Sequence, residues 1–211
     1  MVRCPSCGRQ QEPQLVCGGC GAPQPVEVDC FAALALPRTP VVDQRRLETA
    51  YRDLSRKIHP DRFANSPTDV RDASLRGTAL LTRSYRTLKD PVSRGLYWLE
   101  LHGRKLAENN KSVPADLAEM VFEIQEQLAE LRAANGAHEI REQINGRREA
   151  TRQLMEEAKA ELELNFGKWA GNGTSDSEEL ADELKKVLSR IAYLRTLLRD
   201  IDRELEPATA S

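Results

Sequence analysis

The chain has 211 residues, of which 40% are hydrophobic, 5% aromatic and 30% charged, with a formal net charge of −2. That length leaves room for one ordinary domain or two small ones with an appendage, and the composition favours thin, helix-rich layers; the near-neutral balance singles out neither nucleic acid nor a membrane surface. No run approaches the roughly 20 apolar residues of a membrane helix, and no apolar signal core follows Met1, so a cytoplasmic protein without a membrane partner is expected.

Residues 1–25 are rich in Cys, Gly, Pro and Gln and carry no helical or strand period. Such a segment is too small to fold on apolar burial alone. Cys4-Pro-Ser-Cys7-Gly and Cys17-Gly-Gly-Cys20-Gly make two Cys-x2-Cys pairs, with nine residues between Cys7 and Cys17. Four thiolates at this spacing close a structural tetrahedral site, which predicts a zinc knuckle or ribbon ligated by Cys4, Cys7, Cys17 and Cys20. A rubredoxin-like iron site would use the same ligands. Gly8 and Gly21 follow the pairs where tight turns must bring backbone amides toward sulfur. Cys30 lies outside the spacing and reads as a small buried residue beside Phe31.

From Cys30 to about His102 the pattern is short helix, helix, loop, helix, helix. Asp43 is a candidate N-cap. After it, Leu47, Tyr51, Leu54 and Ile58 share one helical face, with Arg45, Arg52 and Arg56 nearly opposite. Residues 44–62 hold six Lys or Arg against three Asp or Glu. His59-Pro60-Asp61 interrupts this basic helix, because Pro60 biases His59 away from helical dihedrals. A catalytic His-Asp pair would need a nucleophile or metal and a closed pocket. His102 and His138 belong to no ligand spacing, and there is no Gly-rich phosphate loop. The turn therefore reads as a displayed element, and the protein as a non-enzyme.

A second amphipathic helix is expected from about Asp72 to Lys89, with Leu75, Ala79, Thr82, Tyr85 and Leu88 as its core face. Asp90-Pro91 ends it and starts "PVSRGLYWLELHG", which Gly103 caps. A linker follows over 104–114. Three helices come next, at about 115–134, 138–168 and 176–205, with Ser175 or Ser177 as a capping candidate, and read as an antiparallel bundle. Residues 115–205 carry 20 acidic and 13 basic side chains. Leu117, Val121, Ile124, Leu128 and Leu131 share the core face of the first of these helices. Phe122 points about 140° away, among Glu119, Glu123, Glu126 and Glu130. Tyr193 lies off the core stripe of the last helix. Two aromatics outside their core stripes suggest a binding surface.

A four-helix unit with His-Pro-Asp between its second and third helices resembles a J-domain. "DCFAALALP", "YRDLSRKIHPDRFA" and "SYRTLKDPVSRGLYWLELHG", with the acidic helical C-terminus, are similar to the HscB co-chaperones over about residues 29–205. The four-cysteine module resembles that of eukaryotic mitochondrial members. The resemblance implies an all-α fold: a zinc module at 1–25, a J-domain at 29–103, a linker at 104–114 and a three-helix bundle at 115–205. It further implies docking on a DnaK/HscA-type ATPase through His59, Pro60, Asp61, Arg45, Arg52, Arg56, Lys57 and Arg62. Delivery of an IscU-type iron–sulfur scaffold would use Phe122, Glu123, Glu126, Glu130 and Tyr193, although the family's adjacent Leu-Met pair is replaced by Ala118-Glu119. A homodimer is compatible with the zinc module. Two other readings are a J-domain protein with a different client and a nucleic-acid-binding zinc ribbon. Against the ribbon, the module has only Arg3 and Arg9 as basic residues and the long arm is acidic.

Overall fold

The computed structural model describes residues 1–106, 114–133, 138–171 and 178–206. The proposed caps Ser175 and Ser177 and most of the expected linker lie outside these residues. The chain divides into two compact units, Met1–Tyr97 and Trp98–Ser211.

The first unit opens with a two-stranded antiparallel ribbon, β1 (Val2–Arg3) and β2 (Gln10–Gln11), joined across Cys4–Arg9. Two-residue strands are too short to leave a period-2 signature, which is why the composition of this segment did not reveal them. Helix α1 (Cys30–Ala33) is capped by Asp29, whose Oδ1 accepts from Ala32 N at 2.8 Å. Phe31 and Cys30 are buried, the latter as expected for a small apolar residue.

Helix α2 (Gln44–Ile58) starts at the predicted cap: Asp43 Oδ1 accepts from the backbone amides of Arg45 and Arg46 at 2.9 and 3.2 Å. A 3-10 turn, Pro60–Phe63, follows. Helix α3 (Thr68–Lys89) begins one turn before the expected start. Tyr51 stacks on Tyr85 with centroids 4.2 Å apart, and Lys89 lies 3.5 Å from Glu48. Ser74 meets Ile58 at the other end, so α2 and α3 form an antiparallel hairpin.

The core face of α3 differs from the sequence expectation. Leu75 is 56% exposed and Ala79 is exposed; the buried line is Ser74, Gly77, Leu81, Ser84 and Leu88. The reason is close approach. Ile58 Cδ1 occupies the space that a Cβ on Gly77 would take, so the contact with α2 requires small residues where hydrophobicity alone would place large ones. Helix α4 (Pro91–Leu101) ends at Gly103, which has φ +68°. Its capping bonds run from Gly103 N to Glu100 O and from Arg104 N to Leu99 O. This is the C-terminal stop that the glycine predicts.

In the second unit, a short 3-10 turn (Ala115–Leu117) leads into α5 (Ala118–Ala133), followed by α6 (His138–Gly171) and α7 (Glu178–Leu205). Val121, Ile124, Leu128 and Leu131 of α5 are buried, as are Leu184, Ile191, Leu194 and Ile201 of α7. Ion pairs report the topology. Glu123 meets Arg147 at 2.6 Å, and Lys168 meets Glu183 at 2.7 Å, so α6 runs antiparallel to both neighbours. Asp116 pairs with Arg190 and Arg132 with Glu204, so α5 and α7 run parallel. The architecture is thus all-helical apart from the small ribbon.

Candidate functional site: a displayed turn, a thiolate cluster and an acidic helix face

The corner after α2 is built from the inside. Pro60 has no N–H to continue the helix, and the last carbonyls of a helix lack intrahelical partners. The carbonyl of Ile58 is instead taken by two hydroxyls of α3: Ser74 Oγ donates at 2.7 Å and Thr78 Oγ1 at 3.3 Å. Ile58 itself is fully buried. The next residue turns outward. His59 adopts φ −56°, ψ 131° and caps the 3-10 turn, its Nδ1 accepting from Asp61 N at 3.3 Å. The side chains of His59 and Asp61 are 54% and 90% exposed, with Nδ1 3.5 Å from Asp61 Oδ2. A rigid buried anchor therefore presents an imidazole and a carboxylate to solvent.

Arg45, Arg52, Arg56, Lys57 and Arg62 are exposed. Arg52 pairs with Glu48 at 3.7 Å and Arg56 with Asp53 at 2.5 Å, both on the helix surface. Arg62 folds back along the helix end, its Nη1 donating to Arg56 O at 3.1 Å. That bond ties the turn to the basic helix and brings the cations to the same corner as His59. Sequence periodicity located the helix face but carried no sign of this return contact.

The four cysteines converge as their spacing predicts, with all four Sγ atoms within 4.8 Å of one another. Cys4 and Cys20 sulfurs are 3.7 Å apart, as are those of Cys7 and Cys17. Two thiolates on a tetrahedral metal at about 2.3 Å would be about 3.8 Å apart, so the donor set fits such an ion. The two loops are built alike. Gly8 N bonds Cys4 O at 2.9 Å, Gly21 N bonds Cys17 O at 3.0 Å, and both glycines have φ +75°. Gly19 N and Gln24 Nε2 each point at a sulfur, of Cys17 and Cys4 respectively, at 3.4 Å. At Cys4 burial opposes ionisation, but donors from Cys7, Ser6 and Gln24 outweigh it and draw the thiol down to about 6. At Cys20 the Ala22 amide favours the thiolate, yet burial and the three neighbouring sulfurs push it up to about 12. Four thiolates in one cluster repel one another, and a divalent cation relieves that repulsion.

On α5, Phe122 is 70% exposed beside exposed Glu119, Glu126 and Glu130. Glu123 is half-buried and bound to Arg147. Tyr193 on α7 is half-buried, and burial with the Asp200 carboxylate raises its pKa. The Asp116–Arg190 and Arg132–Glu204 pairs fix the register of the two parallel helices. By that register Phe122 lies level with about residue 195, within one turn of Tyr193. The two aromatics thus share a height along the bundle, which sequence could not provide. Leu164 on α6 is 71% exposed, a second large apolar group on the surface of this unit. Among the described residues, no helix is long and apolar enough to cross a membrane.

A scan against protein-family models matches none of them. The chain is 30% identical over 183 residues to a "Co-chaperone protein HscB homolog" of Aromatoleum aromaticum, covering 86% of this chain and 96% of that protein. It is 30% identical over 143 residues to an "Iron-sulfur cluster co-chaperone protein HscB homolog" of Arabidopsis thaliana, covering 67% and 56% of the two chains. Among solved structures, human co-chaperone protein HscB superposes with a TM-score of 0.74 at 25% identity, over 98% of this chain and all of that one. Chaperone HscB from Vibrio cholerae has the same fold at 20% identity, with a TM-score of 0.60 over 83% of this chain and 96% of its own. On these similarities, and with an outward His-Pro-Asp corner and a helical C-terminal unit in place, the chain belongs to the HscB co-chaperone family.

Proposed function

We propose that the protein is a non-enzymatic adaptor of iron–sulfur cluster assembly. One end recruits a DnaK/HscA-type ATPase and the other an IscU-type scaffold. The observation that carries the first half is the exposed His59–Asp61 pair on a corner whose preceding carbonyl is locked by Ser74 and Thr78. Arg45, Arg52, Arg56, Lys57 and Arg62 beside it would steer the corner onto an acidic surface of the ATPase, with an affinity that falls as salt rises. His59, Pro60 and Asp61 would act in trans, biasing the partner's ATPase switch rather than performing chemistry.

For the second half, Phe122 would be the apolar anchor, ringed by Glu126 and Glu130, with Tyr193 at the same height. Glu123, already held by Arg147, would serve mainly to shape the surface. Cys4, Cys7, Cys17 and Cys20 would hold one zinc ion, which supplies the cross-link that a 25-residue module lacks in apolar core. The test is His59→Gln in the full chain. Stimulation of the partner ATPase should disappear while the helical content and thermal transition stay unchanged. Undiminished stimulation would reject the docking corner, and a scaffold that fails to co-purify with both proteins would reject the delivery role.

A further inference from the structure

The cysteine module and the His-Pro-Asp corner are physically connected. Leu15, in the loop between the two cysteine pairs, is 2% exposed, although a 25-residue module has little interior of its own to bury it. Its Cδ2 lies 3.9 Å from the position of a Cβ on Gly77, the point already filled by Ile58 Cδ1. Leu15 and Ile58, the residue before His59, therefore both reach the same point over Gly77. The carbonyl of Ile58 is held by Ser74 and Thr78 of the same helix as Gly77.

The other end of the connection is a sulfur. Leu15 O accepts from Gln24 N at 2.9 Å, and Val16 pairs with Pro23 in an antiparallel bridge. The side chain of Gln24 is buried, 2% exposed, and its Nε2 donates to Cys4 Sγ at 3.4 Å. A short path thus runs from Cys4 through Gln24 and Leu15 to Ile58 and the turn. Lys57 and Arg62, from the docking corner, border the same cleft as Leu15 and Cys17.

We propose that Leu15 and Gln24 are positioning residues that make the order of the His59–Asp61 corner depend on metal at the four cysteines. Without the metal the module has no cross-link and too few apolar contacts to hold its loop. Leu15 then leaves, Ile58 loses packing on one side, and the corner is left to the α3 hydroxyls and the Arg62 bonds. The coupling itself is a statement about local order. Its consequence for the ATPase rests on the docking role proposed above.

The test is amide hydrogen exchange in the full chain, reading residues 58–63 against 178–205. Four forms are compared with the metal-loaded parent: chelator-stripped protein, Leu15→Ala, Leu15→Met and the exposed control Glu12→Ala. Stripping and Leu15→Ala should each speed exchange over 58–63 by about tenfold, with 178–205 unchanged. Leu15→Met, which conserves volume, should restore the parent rate, and Glu12→Ala should not alter it. Unchanged exchange at 58–63 after complete metal removal would overturn the coupling, and that arm stands even if Leu15→Ala fails to fold. ATPase stimulation measured on the same samples separates the two ideas. Faster exchange with undiminished stimulation preserves the coupling and rejects the docking corner. Lost stimulation with unchanged exchange rejects the coupling alone.

Discussion

Ser74→Ala probes how the corner is built. Ser74 and Ile58 are both fully buried, and the 2.7 Å bond from Ser74 Oγ is the shorter of the two that Ile58 O receives. The amide four residues on, Arg62 N, is already given to His59 O at 3.0 Å and supplies no replacement. Removal leaves the carbonyl with the 3.3 Å contact from Thr78, too long to compensate fully. Losing one partner of a buried bond costs about 1–3 kcal/mol. For a cooperative unit of this size each kcal/mol lowers Tm by about 4–8 °C. The assay is thermal unfolding of the full chain followed at two wavelengths. Far-ultraviolet circular dichroism reports both units, whereas Trp98 and Trp169, the protein's two tryptophans, both lie in the second unit. A loss of about 1–3 kcal/mol should therefore appear in the helical signal of the first unit, with the tryptophan transition unmoved. Adding Thr78→Val should deepen the loss beyond the sum of the two single changes, since the pair shares one acceptor. If Ser74→Ala stays within about 0.5 kcal/mol of the parent, the carbonyl is satisfied otherwise and the account of the corner is wrong.

Four further outcomes are expected. Gly77→Ala forces a methyl into the space of Ile58 Cδ1 and should destabilise the first unit by about 1–3 kcal/mol in denaturant titration, whereas Ala79→Gly on the exposed side should cost about 1 kcal/mol or less. Phe122→Ala combined with Tyr193→Ala should weaken scaffold binding by tenfold or more in calorimetry, with bundle stability little changed; an unaltered dissociation constant rejects that surface. Metal analysis after native purification should find about one ion per chain, and a protein without any would remove the thiolate site. The Tyr97 hydroxyl is partly buried and accepts from Cys30 N at 2.9 Å, and desolvation pushes its pKa from 10.0 to about 12. The fold prefers the neutral phenol, so its contribution is intact below pH 10 and is lost as pH rises from 10 through 12. Tyr97→Phe should abolish that alkaline step in a pH-dependent melt, and persistence of the step would assign it elsewhere.

Much of the architecture was legible because it rests on local rules. Asp43 and Gly103 mark helix ends by capping chemistry, Pro60 stops α2 by its ring, and the cysteine spacing predicts a cluster whose sulfurs do converge. The bundle faces of α5 and α7 follow from the 3.6-residue period. The core face of α3 was not legible, because Gly77, Ser74 and Ser84 are buried for their size rather than their hydrophobicity. Nor were the side-chain partners: the acidic row on α5 reads as uniform, yet Glu123 is engaged by Arg147 while Glu126 and Glu130 stay exposed.

The amino-acid order alone settled which segments coil, where each coil stops and which four sulfurs belong together, since those depend on neighbours a few residues apart. Only the folded chain decided that α3 presses its smallest residues on Ile58, that hydroxyls sixteen and twenty positions away hold the corner, and that Leu15 reaches it from the cysteine loop. Such contacts join residues that no periodicity relates, and they exist only once close packing has selected one arrangement of the helices.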